Sequence, residues 1–189
     1  MKMKLKYVNY LKSKHKTEMK KIYLESFTKC ERFPFWILKL CSKENNIKFM
    51  EVLNENELVG IEYILTYENN AYLMYFVIDE NKQNKGYGSK IVKDLANEYN
   101  TVILSIEKID NINKEIKQKR KNFYLRNGFQ ETNVFYEDAG VEYEILTTNK
   151  NFSITKESLE KFYEQMTSSK ILKYIIGRIF NVYDIKLIN

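Results

Sequence analysis

The sequence predicts a mixed α/β domain with a strand–helix–strand crossover at its centre, and three observations predict it. Three strand-like runs, IKFMEVLN, ELVGIEYILTY and AYLMYFVID, are separated only by the turn signals NEN and ENN, and spacers that short imply an antiparallel meander. The last of them leads through a helix-like stretch, IVKDLANEY, into TVILSIE, which makes a right-handed crossover joining parallel strands. FQETNVFYE and VEYEILTT then alternate around DAG, the pattern of a closing hairpin.

The run KLKYVNY forms a short first strand. Thr17 is placed to cap a helix reaching about Phe27, with Met19, Ile22, Tyr23 and Phe27 near one face. The stretch ERFP interrupts the chain, and FWILKLCSK restarts it as a second helix with Pro34, the lone proline, in the permitted first turn. After the meander, Ile91, Val92, Leu95 and Tyr99 recur at helical spacing, and residues 113–126 form a further helix, entered at Asn113 and stopped by Asn127-Gly128. AYLMYFVID is apolar on both faces, so it belongs at the centre of the sheet with helices above and below.

A chain of 189 residues, 44% apolar, builds one globular unit with an ordinary core. It has no apolar stretch of roughly 18 to 20 residues for a membrane span, and its lysine-rich start lacks an apolar signal core; a cytoplasmic location is expected. Cys30 and Cys41 match no metal-ligand spacing and read as free thiols, and no metal is expected. His15 is the only histidine and stands in KSKHKTEMKK, a solvated helix start, which leaves no route to a histidine-assisted nucleophile. The net charge of +6 would suit a polyanion, yet the lysines are spread along the chain among 25 acidic residues.

The chain has only six glycines and spends two of them in NKQNKGYGSK, between the central strand and the helix. A helix opening on Gly86-Tyr87-Gly88-Ser89 presents free backbone N–H groups at its electropositive end, and glycine lets an anion approach them. A pyrophosphate is the implied guest. The dinucleotide fingerprint fails because Ile91 stands where its third glycine belongs, and the Gly-Lys-Ser/Thr ending of a P-loop is absent.

The pattern present, Gln83-x-x-Gly86-x-Gly88 directly after Val-Ile-Asp, resembles the pyrophosphate loop of the GNAT superfamily of acetyl-coenzyme A-dependent N-acyltransferases. Tyr124-Leu125-Arg126-Asn127-Gly128-Phe129 resembles that superfamily's Tyr-x-x-x-Gly-Phe signature, in the expected order. The likeness covers about residues 3–148. It implies a three-layer α/β fold whose mostly antiparallel sheet holds a central parallel pair splayed around acetyl-CoA. It also implies a cofactor set of Phe76, Val77 and Ile78 for the pantetheine arm, Gln83, Asn84, Lys85, Gly86, Tyr87, Gly88 and Ser89 for the pyrophosphate, with Asn113 and Tyr124 beside them.

Acyl transfer needs an uncharged amine, a polarised carbonyl and a proton for the departing thiolate. By the resemblance, the phenol of Tyr124 faces the sulfur and supplies that proton. Relatives carry a glutamate where this chain has Met74, so the base falls to Glu107, at the end of TVILSIE, or to Glu62. Lys117 and Arg120 also depart from the family's pattern. Acceptor contacts are expected from Glu31, Phe33, Phe35 and Trp36, with Arg32 among them, and from the closing hairpin. The implied partner is a small-molecule or peptide amine, without nucleic acid or membrane.

Ile171, Leu172, Ile175, Ile176 and Ile179 form a stripe at helical spacing. The expected division is an acyltransferase domain over residues 1–166 and a helical extension over 167–189, packed on the domain or at a subunit contact of a monomer or homodimer. Two other functions compete: a non-catalytic acyl-CoA-binding domain, suggested by Met74, and a basic nucleic-acid module, which would show steep salt dependence.

Overall fold

Apolar strand runs, alternating toward the sheet's margin and nearly continuous at its centre, lay down the sheet on which everything else is mounted. The computed structural model describes residues 3–29, 31–138, 140–180 and 186–188; it leaves out the side chains of 178–180 and 186–188. Cys30, Ala139 of the DAG turn and the side chains of Arg178 and Ile179 thus lie outside the described residues. Strands β1 (Leu5–Asn9), β2 (Ile47–Asn54), β3 (Glu57–Tyr67), β4 (Asn70–Ile78), β5 (Thr101–Glu107), β6 (Gln130–Asp138), β7 (Val141–Thr147) and β8 (Lys186–Ile188) form one sheet in the order β1-β2-β3-β4-β5-β7-β6-β8. Every neighbouring pair is antiparallel except β4 with β5. The predicted meander, crossover and hairpin are all present.

Among the described residues, six α-helices cover the two faces. On one lie α1 (Lys16–Ser26), α2 (Phe35–Cys41), α5 (Lys156–Glu164) and α6 (Lys170–Phe180), whose Met19, Tyr23, Ile37, Leu38, Phe162 and Ile176 pack with Phe49, Tyr63 and Ile103 of the sheet. On the other lie α3 (Tyr87–Glu98) and α4 (Lys114–Arg126), whose Val92, Leu95 and Tyr124 pack with Ile64, Leu73 and Leu104. Three layers result. No described helix is long and apolar enough to cross a membrane.

Two local expectations shift. Thr17 lies inside α1, and the cap position falls to His15, whose side chain caps nothing because its Nδ1 meets the buried Glu51 carboxylate at 2.8 Å. Ser13 also donates to that carboxylate, so the group pins the entry to α1 to the sheet. Pro34 occupies the N-cap of α2, one step before the first turn. Cys41 is a free, buried thiol; burial, with a smaller contribution from Glu44, pushes it up to about 12 and leaves it protonated. Of the C-terminal stripe, Ile176 is buried and Leu172 packs on the core, while Ile171 stays 75% exposed.

Candidate active site

The parallel pair parts almost as soon as it forms. β4 and β5 are in register only at Asn70↔Thr101, Ala71↔Val102 and Tyr72↔Ile103. Beyond that, β4 stays with β3 and β5 turns to β7. A bulge enforces the divergence: Tyr63 pairs with Tyr75 and Ile64 with Leu73, which leaves Met74 as the extra residue of β4. Gly60 supports it from behind, since a Cβ there would lie 2.4 Å from the Val77 carbonyl oxygen. The wedge between the strands is a cleft of about 600 Å³, lined by Met74, Phe76, Val77 and Ile78 on one side and Leu104, Ser105 and Ile106 on the other.

The glycine stretch follows β4 directly; its Asn81 and Gln83 line this cleft, whereas Asn84, Lys85, Gly86, Tyr87, Gly88 and Ser89 do not. Asn84 and Gly86 both take positive φ, 60° and 84°, so the chain reverses sharply before α3. Lys90 N–H bonds the Gly86 carbonyl at 3.1 Å as the first bond of the helix; the amides ahead of it have no carbonyl within the helix to bond. Gly88 serves packing as well, because a Cβ there would sit 3.2 Å from the Phe123 ring of α4. Gln83 lines the cleft and donates from Nε2 to the Ile78 carbonyl at 3.3 Å, tying the loop to the end of β4. Amides without acceptors, a glycine-lined turn and an open strand edge fit a phosphate-bearing ligand with an extended amide arm.

Tyr124 comes from α4 and lines the same cleft, 8% exposed. Burial, opposed by Arg120, pushes its phenol up to about 12, so it is a neutral donor at physiological pH. Among the described residues its hydroxyl makes no hydrogen bond. Glu107 ends β5 without lining the cleft; its oxygens meet Lys117 Nζ at 3.0 Å and Arg120 Nη1 at 3.6 Å. Arg120 does line the cleft and so links Glu107 to it. Glu31 stands next to Glu107, and although burial would raise its carboxyl, hydrogen bonds from the Thr28 hydroxyl and amide hold it below the usual range.

Other candidates lie elsewhere. Glu62 is buried on β3 in a different pocket with Tyr7, Asp94 and Glu98, away from Tyr124. Phe33 is core, 6% exposed, its amide receiving no solvent because it bonds the Tyr75 hydroxyl at 3.0 Å. Phe35 stacks edge-on against Tyr10 and Phe49 in the same core. Trp36 is half-exposed on α2 and Asn113 is exposed at the start of α4; neither lines the cleft. From α1, Glu18, Lys21, Ile22 and Glu25 line the cleft. Their three- and four-residue spacing was the available signal, and it reads equally as a solvated helix face.

Residues 45–131, from the approach to β2 into β6, match a family model described as an acetyltransferase (GNAT) domain. No curated protein sequence matches the chain. Among solved structures, a GNAT-family protein of Bacteroides thetaiotaomicron aligns with a TM-score of 0.66 at 18% identity, over 95% of this chain and 99% of its own. An acetyltransferase of Bacillus subtilis in complex with CoA aligns with a TM-score of 0.55 at 14% identity, over 78% and 99%. The ribosomal-protein-S18-alanine N-acetyltransferase of Escherichia coli aligns with a TM-score of 0.55 at 11% identity, over 80% and 100%. At such identities these likenesses establish the fold.

Proposed function

We propose, for a chain that carries the GNAT acetyltransferase domain over residues 45–131, that it moves an acetyl group from acetyl-CoA to a primary amine of a small molecule or peptide, by direct transfer in a ternary complex. The observation that carries this reading is the parting of β4 and β5 after three residue pairs, beside the opening turn of α3. The CoA complex of the Bacillus subtilis relative supports the choice of ligand. In this scheme Gln83 and the amides of residues 85–89 take the pyrophosphate, and the backbone of Phe76, Val77 and Ile78 takes the pantetheine arm. When bound, acetyl-CoA supplies an acetyl thioester.

The chain's own groups then manage two protons. The acceptor ammonium enters past Glu18, Glu25, Asp79 and Glu80, which outnumber Lys21 and Arg120 among the charged groups of the lining. The ammonium releases one proton to solvent, and, as its nitrogen would bond the acetyl carbon, Glu107 takes a second through water, with Arg120 positioning that carboxylate. Tyr124 donates its proton as the C–S bond breaks and regains one from solvent. Glu62, in its separate pocket, takes no part.

Calorimetric titration with acetyl-CoA followed by a thiol-release assay across a panel of amines tests the proposal; absence of CoA binding overturns it. Met74, at the position where the resemblance expects glutamate, favours a second reading, a non-catalytic acyl-CoA-binding domain. That reading requires CoA binding with no thiol release for any amine.

A further inference from the structure

β1, β2, β3 and α3 enclose a second pocket of about 120 Å³ that shares no lining residue with the cleft. Glu62 lines it from the middle of β3, 5% exposed, and its Oε2 is buried with no hydrogen-bond partner among the described residues. A buried carboxyl with an unpaired oxygen is expensive, and such groups generally have something to complete them. Asp94 and Glu98 of α3 line the same pocket.

The surroundings select the kind of ligand. Asp94 is already engaged, by the Tyr7 hydroxyl at 2.7 Å and by Lys90. No group of three His, Cys, Asp or Glu among the described residues is arranged to hold a metal ion. Apart from Lys48, the remaining wall is apolar and aromatic: Met50, Ile64, Ile91 and Leu95, with Tyr7 and Tyr99. Aromatic faces beside carboxylates attract organic cations. At about 30 Å³ per water, the space equals roughly four waters, the size of a short alkylammonium.

We propose that this pocket binds a small primary alkylammonium ion, its nitrogen on Glu62 and its carbon chain against Ile64, Ile91 and Leu95. The site is independent of the acetyl-transfer reading. Lys48, also in the lining, is the competing cation from the chain itself, and no ion pair joins it to Glu62.

Binding has a proton signature. The charged and titratable groups facing Glu62 are Tyr7 from β1, Lys48 from β2, Asp94 and Glu98 from α3, and Tyr99 at its end, with Lys90 behind Asp94. Burial, then the charges of Glu98 and Asp94, push the Glu62 carboxyl up to about 8, so it is largely neutral at pH 7. An arriving cation favours the carboxylate, and the displaced proton passes to solvent. Affinity therefore rises by up to about tenfold per pH unit between about pH 6 and 8.

The test is titration of n-propylammonium chloride into the full chain, with isoleucine methyl groups observed by NMR and sodium chloride as the ionic-strength control. Saturable shifts at Ile64 and Ile91 are expected, with Kd on the order of millimolar for so small a ligand, tightening with pH as above. Glu62→Gln removes the charge while keeping the shape, and should weaken binding about tenfold or more and abolish the pH dependence. Glu98→Lys, at an exposed rim position, should weaken it severalfold without endangering the fold. Glu107→Gln should leave it unchanged. Shifts that survive Glu62→Gln, shifts lost in Glu107→Gln, or no saturation at all overturn the proposal.

Discussion

Tyr124 combines burial with a hydroxyl that no described residue claims, which suits a proton donor and not a structural phenol. Replacing it with Phe should lower kcat by about 100-fold or more, the usual share of a general acid, while the calorimetric Kd for CoA stays level. Because burial holds the phenol up to about 12, the kcat profile should show no alkaline fall from this group below about pH 10. Glu62 yields a stability prediction with the opposite sense to most carboxylates. Its folded value of about 8 lies above the unfolded value, about 4.3, so the folded state binds the extra proton. Stability is full below about pH 4 and is lost as pH rises toward about 8, at up to about 1.4 kcal/mol per unit. Thermal melts of Glu62→Gln should show that slope flattened; an unchanged slope would locate the proton elsewhere. At this scale the sequence was legible where backbone decides, as at Gly128, whose positive φ ends α4 where Asn127-Gly128 was expected to stop it, and illegible where side-chain direction decides. Phe33 and Phe35 stand next to the exposed Trp36 in one aromatic cluster, yet they face the core, and nothing in ERFPFW distinguishes the inward rings.

Strands and helices were the most readable level, because alternation and helical spacing follow from burial on one face. β2, β3 and β4 match their expected runs almost to the residue. The bulge at Met74 was not readable, since both faces of β4 are apolar and one extra residue leaves no mark in such a run. Nor was the position of β7 between β5 and β6, which depends on pairing partners distant in sequence. The bulge and Gly60 act together to hold the end of β4 away from β5. Gly60→Ala should therefore lower stability by about 2 kcal/mol, an overpacking cost, and Tm by about 6 °C for a chain of this size. It should also weaken CoA binding by displacing the strand that lines the cleft. Normal affinity in a destabilised variant would separate Gly60's packing role from the ligand site.

For the whole molecule, charge distribution matters more than its sum. A chain of net charge +6 places Glu18, Glu25, Asp79 and Glu80 around its cleft against Lys21 and Arg120, so the proposed cationic acceptor would meet a local field opposite to the global one. Raising ionic strength from about 0.01 to 0.5 M shortens the screening length from about 30 Å to a few ångströms. The KM for a cationic amine should rise severalfold over that range with kcat unchanged; an unchanged KM would place acceptor recognition elsewhere. The C-terminal segment also belongs to this scale. Ile176 is buried in the main core, so Ile176→Ala should lower stability by about 2–4 kcal/mol, measured by denaturant titration. β8 pairs with β6 at the sheet's margin, a contact the helical stripe did not foreshadow. The opposite kind of margin lies inside the molecule, where β4 beyond Tyr72 shows β5 a row of backbone groups that, among the described residues, β5 does not pair, up to the Gln83 bond at Ile78. A short peptidomimetic in extended form could dock along that row like a missing strand, offering an inhibitor scaffold that carries no nucleotide at all.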